Sequence, residues 1–329
     1  MHGYNTIIRF IDVTVCKPFF MKCILLFASV VLLSCNIESQ NSNEPGSKDS
    51  IAGETKTVEY TSFDIKEIED IPEGVNERSP EFIKKRLELL IGDSYKNKCE
   101  AIGIAYPPKF VLFRAFKLEK EFEIWVADKR SDTLRLLATL PICAVDAEPG
   151  TKLKQGDGKT PEGFYTCSIL YGSSNGFMWI KLNSKEIDTY GSVGYGSSFK
   201  LCLEYPLPID ANRTKTHSPG HNPGSAICIH GNCVTAGCIS FENENFLPIF
   251  LSARYHDTKQ YGFPKIHIFP FRFSDELKKK YSEEIVSDMS KEKLMLFWSE
   301  IQKAYDLFNS NKKAIRVTYT NNAYQFTVY

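Results

Sequence analysis

The chain has 329 residues, of which 43% are hydrophobic and 13% aromatic. That supports one domain with extensions or two small ones around a packed core, and it excludes wholesale disorder. Forty basic and forty acidic residues leave a formal charge of zero, which argues against a generic basic nucleic-acid binder, so no nucleic-acid partner is expected. Ten cysteines are too sparse for a small disulfide scaffold, yet many for a reducing compartment.

Residues 1–20 are polar and mixed and do not read as a signal, which places the expected start at Met21. Met21-Lys22-Cys23 is a short positive segment, and Ile24 to Leu33 is an apolar run broken only by Ser29. This is the layout of a secretory signal over 21–35. Its end, Leu32-Leu33-Ser34-Cys35, resembles a bacterial lipobox, which implies lipidation at Cys35 and attachment to a membrane through the lipid. About ten apolar residues are too few for a hydrocarbon core that needs about 20. Residues 36–60 hold little to bury and read as a flexible tether. The expectation is a lipid-anchored lipoprotein of the cell envelope facing the periplasm. Seven cysteines then remain (Cys99, Cys143, Cys167, Cys202, Cys228, Cys233 and Cys238), and an odd number leaves at least one thiol free.

Residues 61–108 read as a helical lead-in. Ser79-Pro80-Glu81 starts a helix with Pro in its first turn, and Ile83, Leu87, Leu90 and Ile91 form one buried face. Lys109–Phe116 and Phe122–Asp128 read as a hairpin across Lys117–Glu121, with a third strand over Leu134–Val145. Gly150–Gly163 is a turn-rich loop whose end, Thr160-Pro161-Glu162-Gly163, leads into a strand. Further strands are predicted over Phe164–Tyr171, Gly176–Leu182, Ser225–His230 and Lys265–Phe273. Asp210–Gly224, with its Pro and Gly punctuation and two histidines, is predicted as loop. Tyr281–Phe308 is mostly helical, with Trp298 and Phe308 in a core. Ile315–Tyr319 and Tyr324–Val328 close the chain as a hairpin about Asn321-Asn322. The fold class is α+β, a β-rich middle with flanking helices and a C-terminal helical and hairpin extension.

The chemistry concentrates in Ser225–Ser240, SAICIHGNCVTAGCIS. A strand ends at His230-Gly231, a tight hairpin returns the chain to Gly237-Cys238, and a helix begins between Glu242 and Phe246. Pro248 fits best in that helix's first turn, which favours Asn245 over Asn243 as its cap. A cysteine nucleophile needs a base within reach, surroundings that favour thiolate, and N–H groups facing the developing oxyanion. His230 is the candidate base. An imidazolium and a helix N-terminus would bring the Cys238 thiol down to about 3.5–7.5. Gly237 lets the backbone approach a substrate, and the N–H groups of Gly237 and Cys238 are the candidate oxyanion donors. On these residues alone, a buried or disulfide-bonded Cys238 is equally open. Cys233 is the rival thiol, with a supporting role through pairing with Cys143 or Cys228. His217, His221, Cys228, His230 and Cys233 show no clean metal spacing. No nucleotide, haem or dinucleotide signature appears, so neither metal nor cofactor is expected. His256 and His267 read as core or surface residues.

An Ile-His-Gly followed by Gly-Cys resembles the L,D-transpeptidase catalytic domain of the YkuD type, and in particular its YafK-type branch. Further motifs agree in order: KLEKEFEIWV, Leu140-Pro141-Ile142-Cys143, Lys152–Tyr165, Gly224–Cys238, Ile266–Phe273 and Phe297–Phe308. The resemblance covers roughly residues 79–329. It implies a YkuD-type catalytic domain over 109–273 and an extension over 274–329, with Cys238 as nucleophile and His230 as base. The Gly231 carbonyl would hold the imidazole tautomer. Tyr205, Asp210, Ser225 and Thr235 border the expected cleft as candidate substrate contacts. The implied partners are peptidoglycan stem peptides and wall-attached envelope proteins. Acyl transfer to an amine would cross-link or attach; transfer to water would make a carboxypeptidase or amidase, the direction this branch favours. The broad family reads Ser/Thr-His-Gly-Cys where this chain has Thr235-Ala236-Gly237-Cys238. The missing histidine keeps a non-catalytic wall-binding module open as the alternative.

Overall fold

A computed structural model describes residues 58–68, 79–171, 199–284, 289–320 and 323–329, all within the unit formed by residues 57–329. The expected start, the signal with Cys35, most of the tether, the strand over 176–182 and the Asn321-Asn322 turn lie outside the described residues. Among the described residues no helix is long and apolar enough to cross a membrane.

Helix α1 (Pro80–Ala101) starts as its sequence predicts. The Ser79 hydroxyl accepts the Phe82 N–H at 3.1 Å, Pro80 occupies the first turn, and Ile83, Leu87, Leu90 and Ile91 are buried. Strands β1 (Phe110–Phe116), β2 (Glu121–Ala127), β3 (Arg135–Pro141), β4 (Gly163–Tyr171) and β5 (Phe199–Leu203) follow, then α2 (Pro208–His217), β6 (Cys228–His230) and β7 (Ile239–Ser240). The chain continues through α3 (Asn243–Tyr255), α4 (Thr258–Tyr261), β8 (Lys265–Phe269), α5 (Asp275–Glu284), α6 (Lys291–Asn311), β9 (Ile315–Thr320) and β10 (Ala323–Val328). The α+β class and both expected hairpins, β1–β2 and β9–β10, are present.

One eight-stranded sheet runs in the order β3-β2-β1-β8-β4-β5-β6-β7. It curls until its two edges meet. Ala144, just past β3, bridges Ser240 of β7: the Ser240 N–H donates to the Ala144 carbonyl at 2.9 Å, and the Cys143 N–H donates to the Ser240 carbonyl at 2.9 Å. An edge closed on itself offers no template for a foreign strand.

Side chains alternate between the two sheet faces. The inward face carries Val111, Phe113, Ala115, Tyr165, Cys167, Leu201, Ile229 and Ile239, which share a core with α1 and α3. The outward face carries Phe110, Leu112, Phe116, Phe164 and Phe269, which share a second core with α6 and the C-terminal hairpin. Every residue of β1 and β2 is buried because both of their faces are covered.

Two expectations fail locally. Asp210–Gly224 is not loop throughout, since α2 runs to His217. Pro208 tolerates the first helical position because no N–H is needed there, the Asp210 carboxylate accepts the Leu207 N–H at 2.9 Å, and Pro219-Gly220 come too late to interrupt. Helix α3 begins directly after Glu242 and takes Pro248 into its interior, so Asn245 is no cap. Asn243 instead uses its side-chain oxygen to accept the Asn232 N–H at 3.1 Å, pinning the turn after β6.

Candidate active site

The connection from His230 to Ile239 is not a hairpin. β6 and β7 are parallel, with Ile229 opposite Ile239 and His230 opposite Ser240. Residues 231–238 loop right round, using left-handed backbone at Asn232 (φ 67°) and Cys233 (φ 23°) and a φ of 109° at Gly237. The loop is tied down by the Cys143–Cys233 disulfide, by the Asn232 contact with Asn243, and by the Thr235 hydroxyl donating to the Cys238 carbonyl at 2.7 Å. The pairing of Cys233 with Cys143 removes the rival thiol.

Parallel register decides the outcome. Cys228 and His230 share one face of β6, and Cys238 reaches that face from the adjoining strand. Its Sγ accepts the Cys228 N–H at 3.3 Å. On the other side β5 is antiparallel, with Cys202 opposite Cys228, and the same register carries Lys200 opposite His230. Lys200, Cys202, Cys228, His230 and Cys238 therefore line one stretch of the outward sheet face. Cys202 and Cys228 are joined as a disulfide; among the described residues Cys99, Cys167 and Cys238 are free thiols. Cys99 and Cys167 lie in the inward core, which leaves Cys238 as the thiol on the outward face.

The His230 ring nitrogen Nδ1 lies 2.6 Å from the Gly231 carbonyl oxygen. A carbonyl only accepts, so Nδ1 carries the hydrogen and Nε2 presents a lone pair. Burial lowers the His230 pKa from 6.5 to about 4, with a smaller push the same way from the Lys200 charge. The imidazole is neutral and able to take a proton. Burial likewise pushes the Cys238 thiol up, against smaller lowering contributions from the Cys228 N–H, Lys200 and Lys152. The expected low thiol pKa is therefore not met. There is no imidazolium beside Cys238, and α3 starts five residues later, beyond the first turn over which a helix dipole acts. Burial therefore favours the uncharged form of both groups, thiol and neutral imidazole.

Gly237 is needed for a different close approach from the one expected. A Cβ there would lie 2.8 Å from the Lys159 carbonyl oxygen, so the loop over 150–163 packs directly under the cysteine. That loop rests on Glu162, which is fully buried. One Glu162 oxygen accepts Lys117 Nζ at 3.1 Å and the Gly150 N–H at 3.0 Å; the other accepts the Trp298 indole N–H at 2.8 Å. Sequence alone places Trp298 in a core and Glu162 in a turn; their joint support of the site has no sequence signal and comes only from the packing of α6 on this loop. Among the described residues the N–H groups of Gly237 and Cys238 have no acceptor.

The candidate substrate contacts are placed unevenly. Ser225, ahead of β6, and Thr235, within the loop that carries Cys238, are both exposed. Tyr205 is buried, its hydroxyl donating to the Pro223 carbonyl at 3.3 Å. Asp210 is buried and committed to the Leu207 N–H, the Tyr165 hydroxyl and Arg213. Lys200 was not singled out from sequence; only its register beside His230 marks it. Cys143, Cys233 and Glu242 lie close enough to suggest a metal site, yet both sulfurs are spent in the disulfide and cannot ligate as thiolates. Cavities of about 450 Å³, between α2 and α6, and about 330 Å³, beneath β9 and β10, are lined by neither Cys238 nor His230.

No family model matches the chain. It is 27% identical over 218 residues to the Escherichia coli K12 protein named "Putative L,D-transpeptidase YafK", covering 65% of this chain and 72% of that one, and equally to its counterpart in E. coli O157:H7. Among solved structures, the helical cell shape determining protein Pgp2 from Campylobacter jejuni superposes with a TM-score of 0.31 at 16% identity, over 71% of this chain and 92% of that one. Bdellovibrio bacteriovorus Bd1075 superposes with a TM-score of 0.30 at 18% identity, over 64% of each chain. At such scores the superpositions bear on neither activity nor site.

Proposed function

From a chain that is a sequence relative of YafK, we propose a peptidoglycan-modifying cysteine acyltransferase whose nucleophile is Cys238 and whose base is His230. The observation that carries this reading is a neutral imidazole, its Nδ1–H held by Gly231, on the same outward sheet face as a free, partly exposed thiol.

The chemistry follows from the protonation states. Cys238 Sγ attacks the carbonyl of the third stem-peptide residue while its proton passes to His230 Nε2. The oxyanion is met by the uncommitted N–H groups of Gly237 and Cys238, each such donor commonly worth about 10²–10³ in rate. His230 returns the proton to the leaving amine, and a thioester remains on Cys238. Water or a second amine then resolves it, with His230 again the base. Water gives a carboxypeptidase or an amidase that detaches wall-linked partners; an amine gives a cross-link or an attachment. The kinship with YafK inclines the reading to the hydrolytic outcome. Ser225 and Thr235, exposed beside the nucleophile, remain the candidate substrate contacts. An envelope location and an anchor at Cys35 belong to the same reading.

The test is residues 36–329 with both disulfides intact, incubated with a disaccharide-tetrapeptide without added reductant, read by mass spectrometry of products and intact protein. Tripeptide with a transient protein adduct, both absent in Cys238→Ala, is the expected result; dimers in addition would make it a transpeptidase. No adduct and no turnover would favour the wall-binding module instead.

A further inference from the structure

Three cysteines stand in a row on the outward sheet face. Cys202 and Cys228 oppose each other across β5 and β6, Cα atoms 4.0 Å apart, and are joined as a disulfide. Cys238 lies directly before the next strand, β7, with its Sγ on the Cys228 N–H at 3.3 Å. The sulfurs of Cys228 and Cys238 approach the same carbonyl oxygen, that of Ala226, at 3.7 and 3.8 Å. The order across the strands is therefore Cys202, Cys228, Cys238.

The geometry points to a second reaction of Cys238, inside the chain itself: exchange with the Cys202–Cys228 disulfide, taking Cys228 as its partner and releasing Cys202. It shares Cys238 with the reading above but rests on placement alone. A thiolate attacks a disulfide sulfur from the side opposite the leaving sulfur. Three successive strands put Cys238 on that side of Cys228 and Cys202 on the other. Neighbouring strands lie about 4.8 Å apart, within the roughly 4.4–6.8 Å Cα separation a disulfide accepts, so no strand has to move.

The step balances without any outside oxidant or reductant. Cys238 gives its proton to His230, the Sγ–Sγ bond from Cys238 to Cys228 forms as that from Cys228 to Cys202 breaks, and the Cys202 thiolate takes up the proton. The number of disulfides is unchanged. The nucleophile is capped, and attack by Cys202 restores it. Cys167 is excluded from the relay because it belongs to the inward face. Cys143–Cys233 closes the far end of the loop and stays as a constant tether.

The experiment uses the folded, unreduced chain held at mildly alkaline pH, acid-quenched, labelled with N-ethylmaleimide and mapped by peptide mass spectrometry. The expected result is a Cys228–Cys238 linked peptide together with labelled Cys202, their fraction rising with pH. In Cys202→Ser treated with oxidised glutathione, Cys228–Cys238 should form, with loss of Cys238 labelling that dithiothreitol restores. A wild-type map holding only Cys202–Cys228, with Cys238 fully labelled at every pH, overturns the proposal. So does a Cys238 in Cys202→Ser that stays free or ends as a glutathione adduct. The wild-type arm needs no variant to fold, and a disulfide map is independent of turnover, so failure here and failure of the acyl chemistry are separately visible.

Discussion

The outward face of the sheet is one surface built in two ways. Over β1, β8 and the start of β4 it is sealed by α6 and the C-terminal hairpin, with Trp298, Ile301 and Phe308 fully buried. Charges on this half are neutralised where they stand. Arg114, 1% exposed, meets Glu123 and Asn309, and its guanidinium lies 4.4 Å from the Phe308 ring centre. Over β5, β6 and β7 none of the outward residues joins that core. There the face carries a cation, a neutral base and a thiol, and Lys200 has no ion-pair partner among the described residues. Covering a face with large apolar side chains stabilises the fold by about 1.5–3 kcal/mol each; on this second half His230 and Cys228 are buried as well, while Lys200 and Cys238 stay partly exposed.

The two halves make opposite predictions for mutation. His230→Gln, on the β5–β7 half, should lower kcat/KM by about 10²–10⁴, because general-base catalysis is commonly worth that much, with a smaller change in thermal midpoint than a core truncation gives. The wild-type profile should lose activity as pH falls through about 4, where His230 gains its proton, and not near 6.5. Full activity in the variant, or an acid limb at 6.5, would remove His230 from the chemistry. The stability profile carries the same sign. The folded chain holds its His230, His256 and His267 rings neutral down to about 4, 4 and 3, whereas the unfolded chain protonates them near 6.5. Stability is complete above 6.5 and falls as pH drops toward 4.

On the covered half, Trp298→Ala should cost about 3–5 kcal/mol in denaturant unfolding and leave one Glu162 oxygen without its donor. Activity should fall as well, although Trp298 touches no reacting atom. Glu162 holds the loop that lies under Gly237, so loss of α6 packing reaches the cysteine through that loop. Trp298→Phe keeps most of the packing and drops only the N–H, which isolates the brace at about 1–3 kcal/mol. A Trp298→Ala chain that stays fully active at low temperature would separate the two halves after all.

The covered half was the more legible in sequence, for a physical reason. Its elements announce themselves in the sequence: apolar runs flanking Lys117–Glu121 for β1 and β2, the helical stretch holding Trp298 and Phe308 for α6, and the alternation about Asn321-Asn322 for the closing hairpin. The catalytic candidates were legible by residue type and motif, but their arrangement was not. Eight residues between His230 and Ile239 read as a hairpin because parallel neighbours ordinarily need a dozen or more. The left-handed turn at Asn232 and Cys233 and the disulfide to Cys143 shorten that requirement, and neither has a local signature. The thiol pKa was misjudged for the same cause. Motif spacing places a histidine near a cysteine, whereas burial decides which of them is charged.

The smallest expected effect falls on Lys200, and it sharpens the comparison most. If this half is a binding face, the Lys200 ammonium, which has no ion-pair partner among the described residues, is available to a substrate carboxylate; if it is not, the charge is idle. Lys200 is half-buried, so an ion pair there is worth about 0.2–1 kcal/mol, about 1.4-fold to fivefold in KM. Lys200→Gln should raise KM by that factor for a peptide bearing a carboxylate beside the scissile bond, and leave the corresponding carboxamide unaffected. Added salt should narrow the difference, since it screens an exposed pair. Because the Lys200 charge lowers both the His230 and the Cys238 pKa, the acid limb of the variant should also move slightly upward. A change in KM without that movement would place the ammonium against the substrate but away from the base. Movement without a change in KM would make Lys200 a tuning charge only.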